Sequence, residues 1–145
     1  MLKAVLDLFK QSNDQKEESL SVELATAALL SEIIRADRET DERELNAYKA
    51  ILDKQFSLTD EARQSLVVEG RETAEEAVDL VQFTQAINQQ CDNEKKQAIL
   101  KGLWQVAYAD NNIAPIEEHI IRRIADLLHI PHSQFIKAKL SVTGE

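Results

Sequence analysis

Between Leu20 and Asp37 the apolar residues Val22, Ala25, Leu29, Ile33 and Ala36 recur at three- and four-residue steps, with Leu30 and Ile34 beside them. That spacing marks one face of an α-helix, and the stripe is wide enough for a helix at the centre of a domain. A second helix is predicted from Asp41, where Asp41 and Glu44 have the spacing of a capping box, through Leu45, Tyr48, Ile51 and Leu52. Thr59 before Asp60-Glu61 signals a third, with Ala62, Leu66 and Val67 turned inward and Gly70 at its end. Thr73 with Glu76 opens a fourth, whose inner face reads Ala77, Leu80, Val81, Thr84 and Ile87.

Asp92 with Lys95 starts a fifth helix with Ile99, Leu103, Val106 and Ala107 as its core stripe. Trp104 and Tyr108, four apart, fall on a neighbouring face, a spacing that suits packing. Pro115 fits the first turn of a sixth helix, where its missing N–H costs nothing, and Glu117 and Glu118 suit that positive end. Ile116, Ile120, Ile124 and Leu127 are its inward stripe, and a last helix from Pro131 to Ser133 onward includes Phe135, Ile136 and Leu140. Met1–Lys10 places Leu2, Val5, Leu6 and Phe9 on one face of a short amphipathic helix, expected to dock on the chain's own core or in a homodimer in preference to a membrane surface. Gln11–Ser19 is a polar connector.

Two of these stretches are relatives. Ser31–Leu45 and Trp104–Glu118 each read as the end of an apolar helix, a polar turn opened by Ala-Asp, and a helix entered through acidic residues. Setting the longer segment Ala28–Asp53 over Lys101–Asp126 matches Leu30 with Leu103, Ala36 with Ala109, Asp37 with Asp110, Glu44 with Glu117, Ile51 with Ile124 and Asp53 with Asp126. The expected fold is all-α, a seven- or eight-helix bundle with two pseudo-symmetric helix-turn-helix repeats.

Composition narrows the function more than the fold. Three glycines, two prolines and 30% charged residues in 145 suit one helical domain spanning residues 1–145, with residues 1–19 as N-terminal helix and connector. A formal charge of −9 disfavours nucleic acid, whose binding rests on neutralising phosphates, and favours cations or basic protein surfaces. The lone Cys91 excludes an internal disulfide and fits a reducing compartment. No signal segment or membrane span is read, so the expected location is cytoplasmic, with any membrane association peripheral.

Carboxylates crowd the first turn (Glu32, Asp37, Glu39, Asp41, Glu42, Glu44), and Asp110, Asn111, Asn112, Glu117 and Glu118 supply the second. Two readings stand. A hard divalent ion, Ca²⁺ or Mg²⁺, takes several oxygen ligands and would offset the repulsion. Alternatively, Asp37 and Asp110 make Asx-turns while Glu44 and Glu117 satisfy the free N–H groups of a helix start, and no ion is needed. Neither turn is an EF-hand: counting from Asp37 or Asp110, the glycine position holds Glu42 or Pro115 and the last ligand position Tyr48 or Ile121. His119, His129, His132 and Cys91 match no zinc spacing, and no nucleophile elbow or phosphate loop is present.

The repeated Ala-Asp turn with Glu seven residues after the Asp resembles the TerB family, named for bacterial tellurite resistance, and the N-terminal region of DjlA-like co-chaperones. The likeness covers roughly Leu20 to Phe135. The family turn commonly reads Ala-Asp-Gly; here Arg38 and Asn111 replace the glycines, and Ala114 stands where an acidic or hydroxyl residue is usual. The resemblance implies a non-enzymatic accessory protein that binds a divalent cation or a protein partner, in stress response or a membrane-associated complex. Asp37, Asp41, Glu44, Asp110 and Glu117 would be the oxygen donors, with Asn112 as helper. The alternatives are a metal-free interaction module like the co-chaperone domain and, third, an enzyme using an acidic pair.

Overall fold

The computed structural model describes residues 20–36 and 42–144. The predicted helix at Met1–Lys10 and the connector Gln11–Ser19 lie outside the described residues. Within them seven α-helices follow one another without a strand: α1 Val22–Ala36, α2 Glu42–Phe56, α3 Asp60–Glu76, α4 Val81–Gln90, α5 Asn93–Ala107, α6 Pro115–Leu127 and α7 His132–Thr143.

Short polar side chains set several of the starts. Ser21 Oγ accepts from Leu24 N (3.1 Å) at α1, Thr59 Oγ1 from Ala62 N (3.1 Å) at α3, and Asp92 Oδ1 from Lys95 N (2.9 Å) at α5. Each satisfies a donor that the first helical turn leaves without a partner. α6 ends with His129 in the left-handed region (φ 61°) and Ile130 N donating back to Ala125 O (2.9 Å). This Schellman ending draws Ile130 into the core.

α1 is the axis of the domain. It packs against α2, α3, α4, α5 and α6. α5 is the second hub, against α1, α2, α6 and α7. Leu29, Leu30 and Ile33 of α1 and Ile99, Leu100, Leu103 and Trp104 of α5 are fully buried. Trp104, expected beside the core, is inside it, its ring centroid 5.2 Å from that of Phe135 on α7. At the far end of α1, Arg35 Nη1 donates to Glu32 Oε1 (2.7 Å) and to Ala74 O (3.0 Å), tying α1 to the last turns of α3.

Three expectations need correction. Gly70 does not end a helix: α3 runs through it to Glu76, and Thr73 and Glu76 belong to α3 instead of opening the next helix. A Cβ on Gly70 would stand 2.8 Å from Ala27 Cβ and 2.9 Å from Tyr48 Oη, so the glycine serves the close approach of α3 to α1. α4 begins instead at Val81, whose N–H donates to Asp79 Oδ1 (2.9 Å). Second, α3 buries Gly70 and Ala74 while Ala62 is exposed. Third, α6 is turned relative to its expected stripe: Ile121, Ile124 and Ala125 are buried and Ile116 is 49% exposed. The inward line passes through Glu117, which the hydrophobic pattern could not place. Leu140 of α7 is likewise exposed.

Candidate functional site

The second acidic turn joins α5 to α6. Tyr108 caps α5, and Asn111 N donates to Tyr108 O (2.8 Å). Asn111 has φ 65°, a left-handed conformation that glycine adopts freely and asparagine tolerates better than most residues. Asp110 Oδ1 accepts from Asn112 N (3.0 Å), an Asx-turn. Glu117, third residue of α6 and only 2% exposed, turns back so that Oε1 accepts from Ala114 N (2.8 Å). That is half of a capping box. The other half needs a side-chain oxygen at the N-cap, and Ala114 has none. Ala114→Ser is therefore expected to raise stability by about 0.5–1 kcal/mol, read as a higher urea midpoint.

The first turn joins α1 to α2. Asp37 and Asp41 lie outside the described residues. Glu44 is the third residue of α2, as Glu117 is of α6, and it is 1% exposed. Asn112 is exposed and Asp110 half-buried. Among the described residues no three His, Cys, Asp or Glu side chains stand close enough together to hold a metal ion. At the second turn, Asp110 and Glu117 each accept from a backbone N–H group, the arrangement of a helix entry. His119, His129 and His132 are all exposed, His129 serving the α6 ending and His132 stacking on Phe135 at 5.7 Å. Burial pushes the Cys91 thiol above its usual range, which keeps it protonated and a poor nucleophile.

A family model described as tellurite resistance protein TerB matches residues 23–140. The chain belongs to the TerB family. No curated protein and no solved structure matches it. The TerB match takes in both turns and all but the ends of the seven helices, so the family's all-α fold and the described architecture agree. Within this TerB domain no helix is long and apolar enough to cross a membrane among the described residues.

A hollow of about 280 Å³ opens between α1, α2 and α3, floored by Ser31 and Tyr48 and edged by Arg35, Arg71 and Glu75. Sequence reading placed Tyr48 on an apolar stripe and missed its polar end. Tyr48 Oη donates to Ala27 O (2.8 Å) and lies 2.9 Å from Ser31 Oγ. With the phenol hydrogen committed to Ala27, Ser31 is the donor to Tyr48. Burial pushes the Tyr48 phenol up to about 12 from 10.0, against the opposing pulls of Ser31 and Arg71. The fold thus favours the neutral phenol. That contribution is whole below about pH 10 and is lost as the pH rises through about 12. Unfolding free energy is expected to fall by on the order of 3 kcal/mol across this window. Tyr48→Phe should flatten that part of the profile, a difference that paired urea titrations at alkaline pH measure.

Proposed function

We propose that this TerB-family chain is a non-enzymatic, cytoplasmic accessory protein whose acidic inter-helix turns dock a basic surface on a partner protein, within a stress-response or membrane-associated complex. The observation that supports this most is the use of the second turn's carboxylates. Buried Glu117 accepts from the Ala114 backbone N–H, while half-buried Asp110, held by the Asn112 N–H, keeps negative charge at the surface of a rigid helix entry. The chain's formal charge of −9 makes a basic surface the complementary partner. The same charge repels an oxyanion, so the phenotype for which the family is named needs no direct contact with tellurite.

A second reading places Ca²⁺ or Mg²⁺ at the first turn, with Asp37, Asp41 and Glu44 as ligands. It is favoured by Glu44, a carboxylate almost wholly withdrawn from water next to the densest acidic stretch of the chain. Burying a carboxylate is costly unless charge or hydrogen bonds offset it, and a cation would add to what the start of α2 supplies. Two measurements separate the readings. Calorimetric titration of chelator-treated protein with Ca²⁺ and Mg²⁺ should give saturable heat that Asp37→Asn abolishes and Asp110→Asn leaves intact, if the cation reading holds. Partner capture that is lost in high salt yet indifferent to chelator supports the metal-free docking role. Capture that survives high salt would refute it.

A further inference from the structure

α2 and α5 cross at close range. A Cβ on Gly102 would stand 3.0 Å from Ile51 Cγ2 and 3.2 Å from Gln55 Nε2, so a side chain there would have to press these two side chains aside by a few tenths of an ångström. Beside it lies a groove of about 280 Å³ lined by Ile51, Lys54, Gln55, Lys95, Ala98 and Lys101. A second hollow of about 270 Å³ shares Ile51, Lys54 and Gln105 with it and carries the groove on past Ala47 and Ala50. The floor is apolar and low: Ile51 is nearly buried, its neighbours along the groove are alanines, and Gln55 Nε2 is held down by Ala98 O at 3.1 Å.

The charge of this groove runs against the rest of the chain. Acidic residues outnumber basic ones by 26 to 17, yet three lysines and no carboxylate line it. Arg35, Arg63 and Lys139 elsewhere on the surface are each paired with a carboxylate. Lys54, Lys95 and Lys101 make no such pair among the described residues. A cluster of like charges around an apolar trough is unfavourable in the free protein, and an opposite charge laid between them removes that cost.

We propose that the α2–α5 groove docks an acidic amphipathic helix of a partner protein. Small residues along two crossing helices allow a third helix to approach, its apolar ridge entering the trough. Lys95 to Gln105 spans about 15 Å at the rise of an α-helix, room for about ten residues of a docked helix. Carboxylates on both flanks of that helix would meet Lys54 on one side and Lys95 and Lys101 on the other. A bilayer cannot follow a concave trough, and a nucleic acid would meet the overall charge of −9 outside it. The proposal is independent of the acidic-turn reading, because its residues and the sign of its partner are both different.

The test is selection of a displayed library of helical peptides on the full chain, followed by fluorescence anisotropy and amide chemical-shift mapping with the enriched sequences. The expected peptides carry Asp or Glu on both sides of an Ala/Leu stripe and shift resonances of α2 and α5. Lys54→Glu combined with Lys101→Glu should weaken them by about tenfold or more, and the corresponding glutamine pair by less. All these changes fall at exposed positions, and circular dichroism verifies that the variants fold. Affinity should also fall as salt rises from about 0.05 M to about 0.3 M. The proposal is overturned if no peptide or only non-acidic peptides are enriched, or if the shifts map to other helices. Undiminished binding to the charge-reversed protein, or displacement of the peptide by phosphatidylglycerol vesicles or single-stranded DNA at equal charge, would also overturn it.

Discussion

Gly70→Val is expected to destabilise the protein by about 3 kcal/mol or more, and Gly70→Ala by about 1–2 kcal/mol. Intrinsic helix preference points the other way, since alanine in a helix interior gains about 1 kcal/mol over glycine. Packing decides the sign. The added Cβ would meet Ala27 Cβ at 2.8 Å and the Ala27 carbonyl carbon at 3.1 Å, and neither atom can rotate aside. Tyr48 Oη, at 2.9 Å, is anchored to Ala27 O and cannot swing away without giving up that bond. The two helices must therefore separate, and valine adds two methyl groups where one carbon already fails to fit. Urea midpoints at unchanged m-value measure the effect. A stabilised Gly70→Ala protein would show that α1 and α3 do not meet this closely.

Trp104→Ala is expected to cost about 3–5 kcal/mol, a large share of the roughly 5–15 kcal/mol that holds an ordinary domain together. Trp104 is fully buried at the hub helix, tilted against Phe135, with Lys139 Nζ 5.7 Å from its ring centroid. Removing the ring leaves a cavity in the seam between α5 and α7. Its indole Nε1 is buried without an acceptor among the described residues. Trp104→Phe eliminates that donor, so it should recover a substantial part of the loss. A melting temperature lowered by about 10 °C or more in the alanine variant, with the phenylalanine variant between it and the parent, is the expected thermal result.

The helical class and the main hub positions were legible because they depend on local periodicity. Leu29 and Ile33, or Ile99 and Leu103, repeat at steps that only a helix turns to one side. The starts at Thr59, Asp92 and Pro115 were legible for a related reason: a capping side chain acts on donors two or three residues away, within reach of a sequence window. Gly70 was misread because a glycine that ends a helix and a glycine that admits a neighbouring helix look the same along the chain. Only the position of Ala27, far away in sequence, tells them apart. The phase of α6 failed where Ile116, Ile120, Ile121 and Ile124 offer two overlapping stripes, and the choice fell to the one containing a carboxylate. At the turns, the Asp110 and Glu117 hydrogen bonds follow the capping alternative, while Asp37 and Asp41 lie outside the described residues. The lysine groove could not be read at all, because Lys54 and Lys95 become neighbours only when α2 and α5 cross.

The order in which this domain is made sets a further condition on it. α1 is the first of the described helices to leave the ribosome, and ten of its residues are destined for burial. Its partners extend to α6, near the end of the chain. Through most of synthesis the most apolar helix of the domain waits without its full cover, a state in which nascent chains stick to one another or recruit chaperones. Closure of this core therefore waits for α6, and a ribosome stalled before α6 would hold a domain whose centre is complete in sequence and still open to its surroundings.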